Sequence, residues 1–90
     1  MKKAKRVYFS GIVQDIFFRA FIKENAEKFD IKGFVRNLED GRVEAFFEGN
    51  QDEIERVIEL CKNHKQAKID NIEIKEEKFQ DLKGFKILHI

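Results

Sequence analysis

Ninety residues with 42% hydrophobic side chains, including ten Phe, are enough for one packed core and too few for two. Charged residues make up 39%, but 18 Lys and Arg against 17 Asp and Glu leave a net charge of only +1, which argues against a disordered chain and against bulk positive charge that would grip a nucleic-acid backbone. No apolar run approaches the roughly 18 residues of a membrane span, and no apolar signal-peptide core precedes a cleavage site, so a cytoplasmic protein with no membrane partner is expected.

The first strand is predicted over about Ala4–Ser10, with Val7 and Phe9 on one face and Tyr8 on the other. The N-terminal basic run, Lys2, Lys3, Lys5 and Arg6, which overlaps the start of this strand, reads as a solubilising lead-in. Gly11 ends the strand. From Phe18 onward Phe21, Ile22, Ala26 and Phe29 follow at i+3, i+4, i+8 and i+11, one stripe of a helix. Between strand and helix lies SGIVQDIFFRAF, Ser10 to Phe21, and Arg19 falls off the stripe in the first helical turn. Such a loop leaves N–H groups without intrahelical partners at the positive end of the helix dipole, where a phosphate or carboxylate binds. The dipole opposes a cation there by about 0.3–1 kcal/mol, so Arg19 is best explained by an anion between the two. From this one residue, a solvated arginine on the helix flank is an equally good account.

Ile31–Leu38 and Arg42–Glu48 read as a second and a third strand joined at Asp40-Gly41, a hairpin signal because both residues tolerate positive φ. In the third strand Val43, Ala45 and Phe47 alternate against Glu44, Phe46 and Glu48. A second helix is predicted over about Gln51–Lys62 from Ile54, Val57, Ile58 and Cys61. That spacing puts Cys61 on the core stripe, as a structural thiol and not a nucleophile. As the single cysteine it forms no intrachain disulfide, in keeping with a reducing compartment. Across Ala67–Lys78 the apolar parity changes between Ile69 and the pair Ile72 and Ile74, which predicts either a bulge near Asp70-Asn71 or a late strand start, and Phe85–Ile90 forms a last strand. No linker or repeat divides residues 1–90, so they form a single domain. The order of elements gives an α+β fold, a ferredoxin-like βαββαβ sandwich with two helices on one face of an antiparallel sheet.

Two side chains carry the chemistry. Arg19 supplies a fixed fork of donors that matches two phosphate or carboxylate oxygens. Asn37, at the end of the strand before the hairpin, offers a donor and an acceptor and could hold a water without titrating, although taken alone it also reads as a turn residue. His64 and His89 fall in the second-helix exit and the last strand, away from the loop, and lack metal-ligand spacing. A Walker-type loop is excluded, because Gly11 is not followed by the Gly-Lys-Ser/Thr ending. An RNA-binding sheet of the same strand order is discounted, since Lys32-Gly33-Phe34-Val35 only faintly echoes its aromatic motif and the charge is near zero.

Gly11-Ile12-Val13-Gln14-Asp15-Ile16-Phe17-Phe18-Arg19, then Gly33-Phe34-Val35-Arg36-Asn37, then Asp40-Gly41-Arg42-Val43-Glu44 and Gly49 together resemble the acylphosphatase signature, G-x-V-Q-G-V-x-F-R, G-[WFY]-V-x-N, D-G-x-V-E and G. The resemblance covers nearly the whole chain, through Gly84-Phe85-Lys86-Ile87. It implies hydrolysis of small-molecule acyl phosphates to carboxylate and inorganic phosphate without a metal; no cofactor and no nucleic-acid partner are expected, and the chain is expected to act as a monomer. Arg19 matches the arginine that binds the phosphoryl group, Gly11 to Phe18 match the cradle, and Asn37 matches the asparagine that orients the attacking water. Asp15 stands where the family has glycine. Aspartate tolerates left-handed φ, so the loop shape can survive, yet its carboxylate would repel a phosphate beside it. Alternatively, Asp15 caps a helix starting near Ile16 and occupies donors the phosphate needs. A weakened, anion-binding relative of the family is the competing reading.

Overall fold

In the computed structural model, which describes residues 1–89, the elements run β1 (Lys2–Ile12), α1 (Phe18–Lys28), β2 (Lys32–Asn37), β3 (Val43–Asn50), α2 (Gln51–Lys62), β4 (Lys68–Glu77) and β5 (Phe85–Leu88). The five strands form one sheet in the order β4-β1-β3-β2-β5. Val7 and Phe9 of β1, Val35 of β2, and Ala45 and Phe47 of β3 project from one face and are fully buried. Against them lie the helical stripes: Phe18, Ile22 and Ala26 from α1, and Ile54, Val57, Ile58 and Cys61 from α2. Burial of each large apolar side chain contributes about 1.5–3 kcal/mol. Cys61 is part of this core, and burial pushes its thiol up to about 12.

The sheet departs from the expected antiparallel pattern in one place. β1 pairs antiparallel with β3 and β4, and β2 with β3, but β5 runs parallel to β2, from Gly33 opposite Phe85 to Arg36 opposite Leu88. The cause is the segment after β4, which carries the chain from one sheet edge to the other, so that β5 arrives in the direction of β2 and not against it. The predicted extension of this strand to Ile90 lies outside the described residues.

The bulge falls where the parity change put it. Ser10 pairs with Asn71 and Gly11 with Ile69, leaving Asp70 as the extra residue. Here Gly11 has φ 120°, and a Cβ on it would lie 2.1 Å from the carbonyl oxygen of Lys68. Only glycine lets the two strands approach so closely. β1 runs past this point to Ile12, beyond its predicted end. The hairpin turn also differs in detail. Leu38 N–H donates to the Arg42 carbonyl (2.8 Å) and Gly41 N–H to the Leu38 carbonyl (3.2 Å), so the loop has three residues, Glu39 to Gly41, and only Gly41 among them takes positive φ.

On the other face of β3, Glu44, Phe46 and Glu48 are buried as well, which alternation alone does not foretell. Glu44 accepts from Arg6 Nη1 (3.0 Å) and Arg36 Nε (2.5 Å). Burial acts to raise its carboxyl, but the hydrogen bonds from Arg36 and Arg6 prevail and hold it below the usual glutamate range. Phe46 stacks on Phe34 with ring centres 5.6 Å apart, and the Arg6 guanidinium lies 5.2 Å from the Phe46 ring. Glu48, fully buried, accepts from the backbone N–H groups of Gln80 and Leu82 and so pins the segment between β4 and β5.

Candidate active site

The two helices begin differently. At α2 the side chain of Asn50 accepts from Asp52 N–H (2.9 Å), with Asp52 and Glu53 in the first turn, as the dipole favours. At α1 the cap position is Phe17, with φ 59° and no side-chain cap, and the first turn holds no acid but Arg19. The N-cap role considered for Asp15 is therefore not realised, and the helix starts at Phe18, not near Ile16. Asp15 takes φ 60°, the left-handed conformation it was expected to tolerate. Phe17 has no such tolerance: a bulky residue there costs on the order of 1–3 kcal/mol. Left-handed Phe17 followed by helical Phe18 is an alternation that turns successive N–H groups to one side. No backbone N–H from Gln14 to Ala20 finds an acceptor among the described residues, and the first bond of the helix is Phe21 N–H to the Phe17 carbonyl, 3.0 Å.

Beside this turn opens a cleft of about 360 Å³. Its polar lining is Arg19, Asn37, Asp15 and His89, and its apolar walls include Val13, Phe17, Phe18 and Ile87. Arg19 and Asn37, 18 positions apart in sequence, thus border one space. Asn37 occupies the last position of β2, opposite Val43, and its Oδ1 is buried without a hydrogen-bond partner among the described residues. A buried acceptor left unpaired costs about 1–3 kcal/mol, and the residue that carries this one is among those lining the cleft. Asp15 sits at the rim and is exposed.

Four residues of the expected cradle also make contacts outside it. Gly11 and Ile12 belong to β1 and pair with Ile69 and Lys68, and Ile12 is 58% exposed. Ile16 packs on the core. Gln14 donates through Nε2 to the carbonyls of Leu38 (2.9 Å) and Arg42 (3.0 Å), tying the loop to the hairpin that carries Asn37. This fixes the two halves of the site relative to each other. A long amide side chain at that point of the loop was the available signal, but its partner is known only once the hairpin is placed.

The histidines also need correcting. His89 is not remote: it lines the cleft, with Nδ1 3.5 Å from Arg19 Nη1. His64 meets Phe18 and Phe21 edge-on from the core side, with ring centres 5.6 and 4.4 Å away. Among the described residues no group of three or more His, Cys, Asp or Glu could hold a metal ion.

A protein-family model described as Acylphosphatase matches residues 5–87. A protein named acylphosphatase from Syntrophobacter fumaroxidans is 42% identical over 80 residues, covering 88% of this chain and 82% of that protein. One of the same name from Syntrophus aciditrophicus is 38% identical over 91 residues, covering 99% and 95%. The crystal structure of acylphosphatase from Bacillus subtilis superposes with a TM-score of 0.92 at 31% identity, covering 99% of this chain and all of that one.

Proposed function

The chain belongs to the acylphosphatase family and hydrolyses acyl phosphates to a carboxylate and inorganic phosphate, and from that premise we propose which of its groups carry the reaction. Arg19 binds the phosphoryl group through two of its parallel N–H donors, and the backbone amides between Gln14 and Ala20 take the remaining oxygens. The Oδ1 of Asn37 accepts from the attacking water and aims its oxygen at phosphorus. A phosphorus–oxygen bond to water forms as the bond to the acyl oxygen breaks. The electron pair leaves on a carboxylate, which is stable as an anion at neutral pH and needs no proton from the enzyme. The proton of the water passes to a phosphoryl oxygen or to solvent. Positioning and fixed charge can supply most of the acceleration, because phosphoryl transfer asks little covalent chemistry of the protein.

The observation that carries this reading is that Asn37, whose amide oxygen is unpartnered among the described residues, the Arg19 guanidinium and a run of unspent N–H groups border one cleft. Its test is hydrolysis of a small aryl acyl phosphate by the wild type, Arg19→Ala and Asn37→Ala, with and without chelator. Turnover is expected to persist with chelator, and each variant to lose on the order of 10²-fold or more in rate. Wild-type turnover in either variant would remove that residue from its role.

Residues 1–90 are read as one acylphosphatase-like domain acting as a monomer in the cytoplasm. The exposed edge strand β4 carries Lys68, Asp70, Glu73, Lys75 and Glu76, charges that discourage pairing with another sheet edge. A lone cysteine agrees with a reducing compartment. The weakened-relative alternative, built on Asp15, is not favoured: Asp15 keeps the turn's left-handed shape and takes up none of the loop's N–H groups.

A further inference from the structure

Arg19 can serve a phosphoryl group only if its long side chain is held over the cleft, and an arginine side chain loses substantial rotamer freedom when fixed. The side chain placed to hold it is His89. Parallel pairing ends with Arg36 opposite Leu88, so the next residues of the two strands, Asn37 and His89, emerge at the same end of the sheet. Both line the cleft with Arg19. Nη1 of Arg19 lies 3.5 Å from Nδ1 of His89. A guanidinium has five N–H donors and no acceptor, so in this contact Nδ1 must be the accepting nitrogen and the ring proton must sit on Nε2.

We propose that His89 is a positioning residue for the phosphoryl-binding arginine. Its imidazole accepts one N–H of Arg19 and leaves the other four donors free to meet the phosphoryl oxygens. The inference rests on the reading of Arg19 as the phosphoryl ligand. Because His89 acts on an arginine that would otherwise have to be ordered by the substrate, its removal weakens binding of any phosphoryl anion, inorganic phosphate included, and leaves the chemistry that follows nearly intact.

The experiment compares wild type, His89→Ala, His89→Gln, Arg19→Ala and the double variant Arg19→Ala/His89→Ala, reading kcat and KM for a small aryl acyl phosphate and inhibition by inorganic phosphate. His89→Ala is expected to raise KM and the phosphate inhibition constant together by about fivefold with kcat changed less than twofold. His89→Gln, whose amide oxygen can accept from Arg19, recovers most of that loss. In the Arg19→Ala background, removing His89 is expected to change kcat/KM by no more than about 1.5-fold, because the group it positions is gone. Unchanged KM and phosphate inhibition in His89→Ala would overturn the proposal, and so would a loss of the same size in both backgrounds, which would mean that the imidazole meets the substrate itself. Failure of the underlying reading looks different: Arg19→Ala alone would then turn over like the wild type.

Discussion

The two helices of this protein start in opposite ways, although both follow a strand of the same sheet. α2 begins with its donors answered and its dipole matched by Asn50, Asp52 and Glu53. α1 begins with a left-handed Phe17, a cation in its first turn and a run of N–H groups that no acceptor among the described residues meets. The first arrangement lowers the energy of the folded chain and does nothing else. The second costs stability in backbone strain and in charge–dipole repulsion, and it leaves its N–H groups to solvent. An anion bound there, as proposed, offsets the last two and completes a helix start that the chain leaves open.

The sharpest way to break this contrast is Arg19→Ala. It should cost on the order of 10²-fold in kcat/KM, about 2.7 kcal/mol of transition-state stabilisation, and at the same time raise the unfolding free energy by a few tenths of a kcal/mol, because it removes a cation from the wrong end of a dipole. Kinetics and urea unfolding on one preparation would show the two moving in opposite directions.

Polar groups already answered within the protein should behave the other way. Glu44, bound by Arg6 and Arg36, has its carboxyl held below the usual glutamate range. Its contribution is therefore complete above about pH 4.5 and is lost as pH falls below that value. Glu44→Gln is expected to cost about 2 kcal/mol at pH 7 and to flatten the fall of stability between pH 4.5 and more acid values, without changing turnover of the folded enzyme. Denaturant midpoints across that range measure both. Next in size, Asn50→Ala should lose about 1 kcal/mol of stability with kcat and KM intact, the pattern of a cap that serves only its helix. The smallest effect belongs to Asp15→Gly. Removing an exposed carboxylate from the rim should tighten inhibition by inorganic phosphate by about two- to fivefold, and unchanged inhibition would show that Asp15 does not oppose the ligand.

Local rules made part of this legible. The stripe Ile54, Val57, Ile58 and Cys61 predicts α2 to its first and last residue, the parity change after Ile69 locates the bulge at Asp70, and the spaced motifs pick out Arg19 and Asn37, which the fold brings to one cleft. What stayed hidden depends on partners distant in sequence. Alternation alone does not bury Glu44 and Glu48, because the residues that cover them, Arg6 and Arg36 on neighbouring strands and Gln80 and Leu82 beyond β4, are fixed only when the sheet closes. Gln14 looked like one more cradle residue until the hairpin supplied its two carbonyls. His89 looked remote because the strand that carries it was expected to run antiparallel, and one parallel pairing turns its end toward Asn37.

The thiol of Cys61 has a use that follows from its place under α2. With its ionisation pushed up to about 12 and no surface exposed, it stays silent toward alkylating reagents for as long as the fold holds. Each modification event then dates an excursion in which the helix has lifted away, so a mass spectrometer following that single atom times the breathing of the whole molecule, with no engineered label.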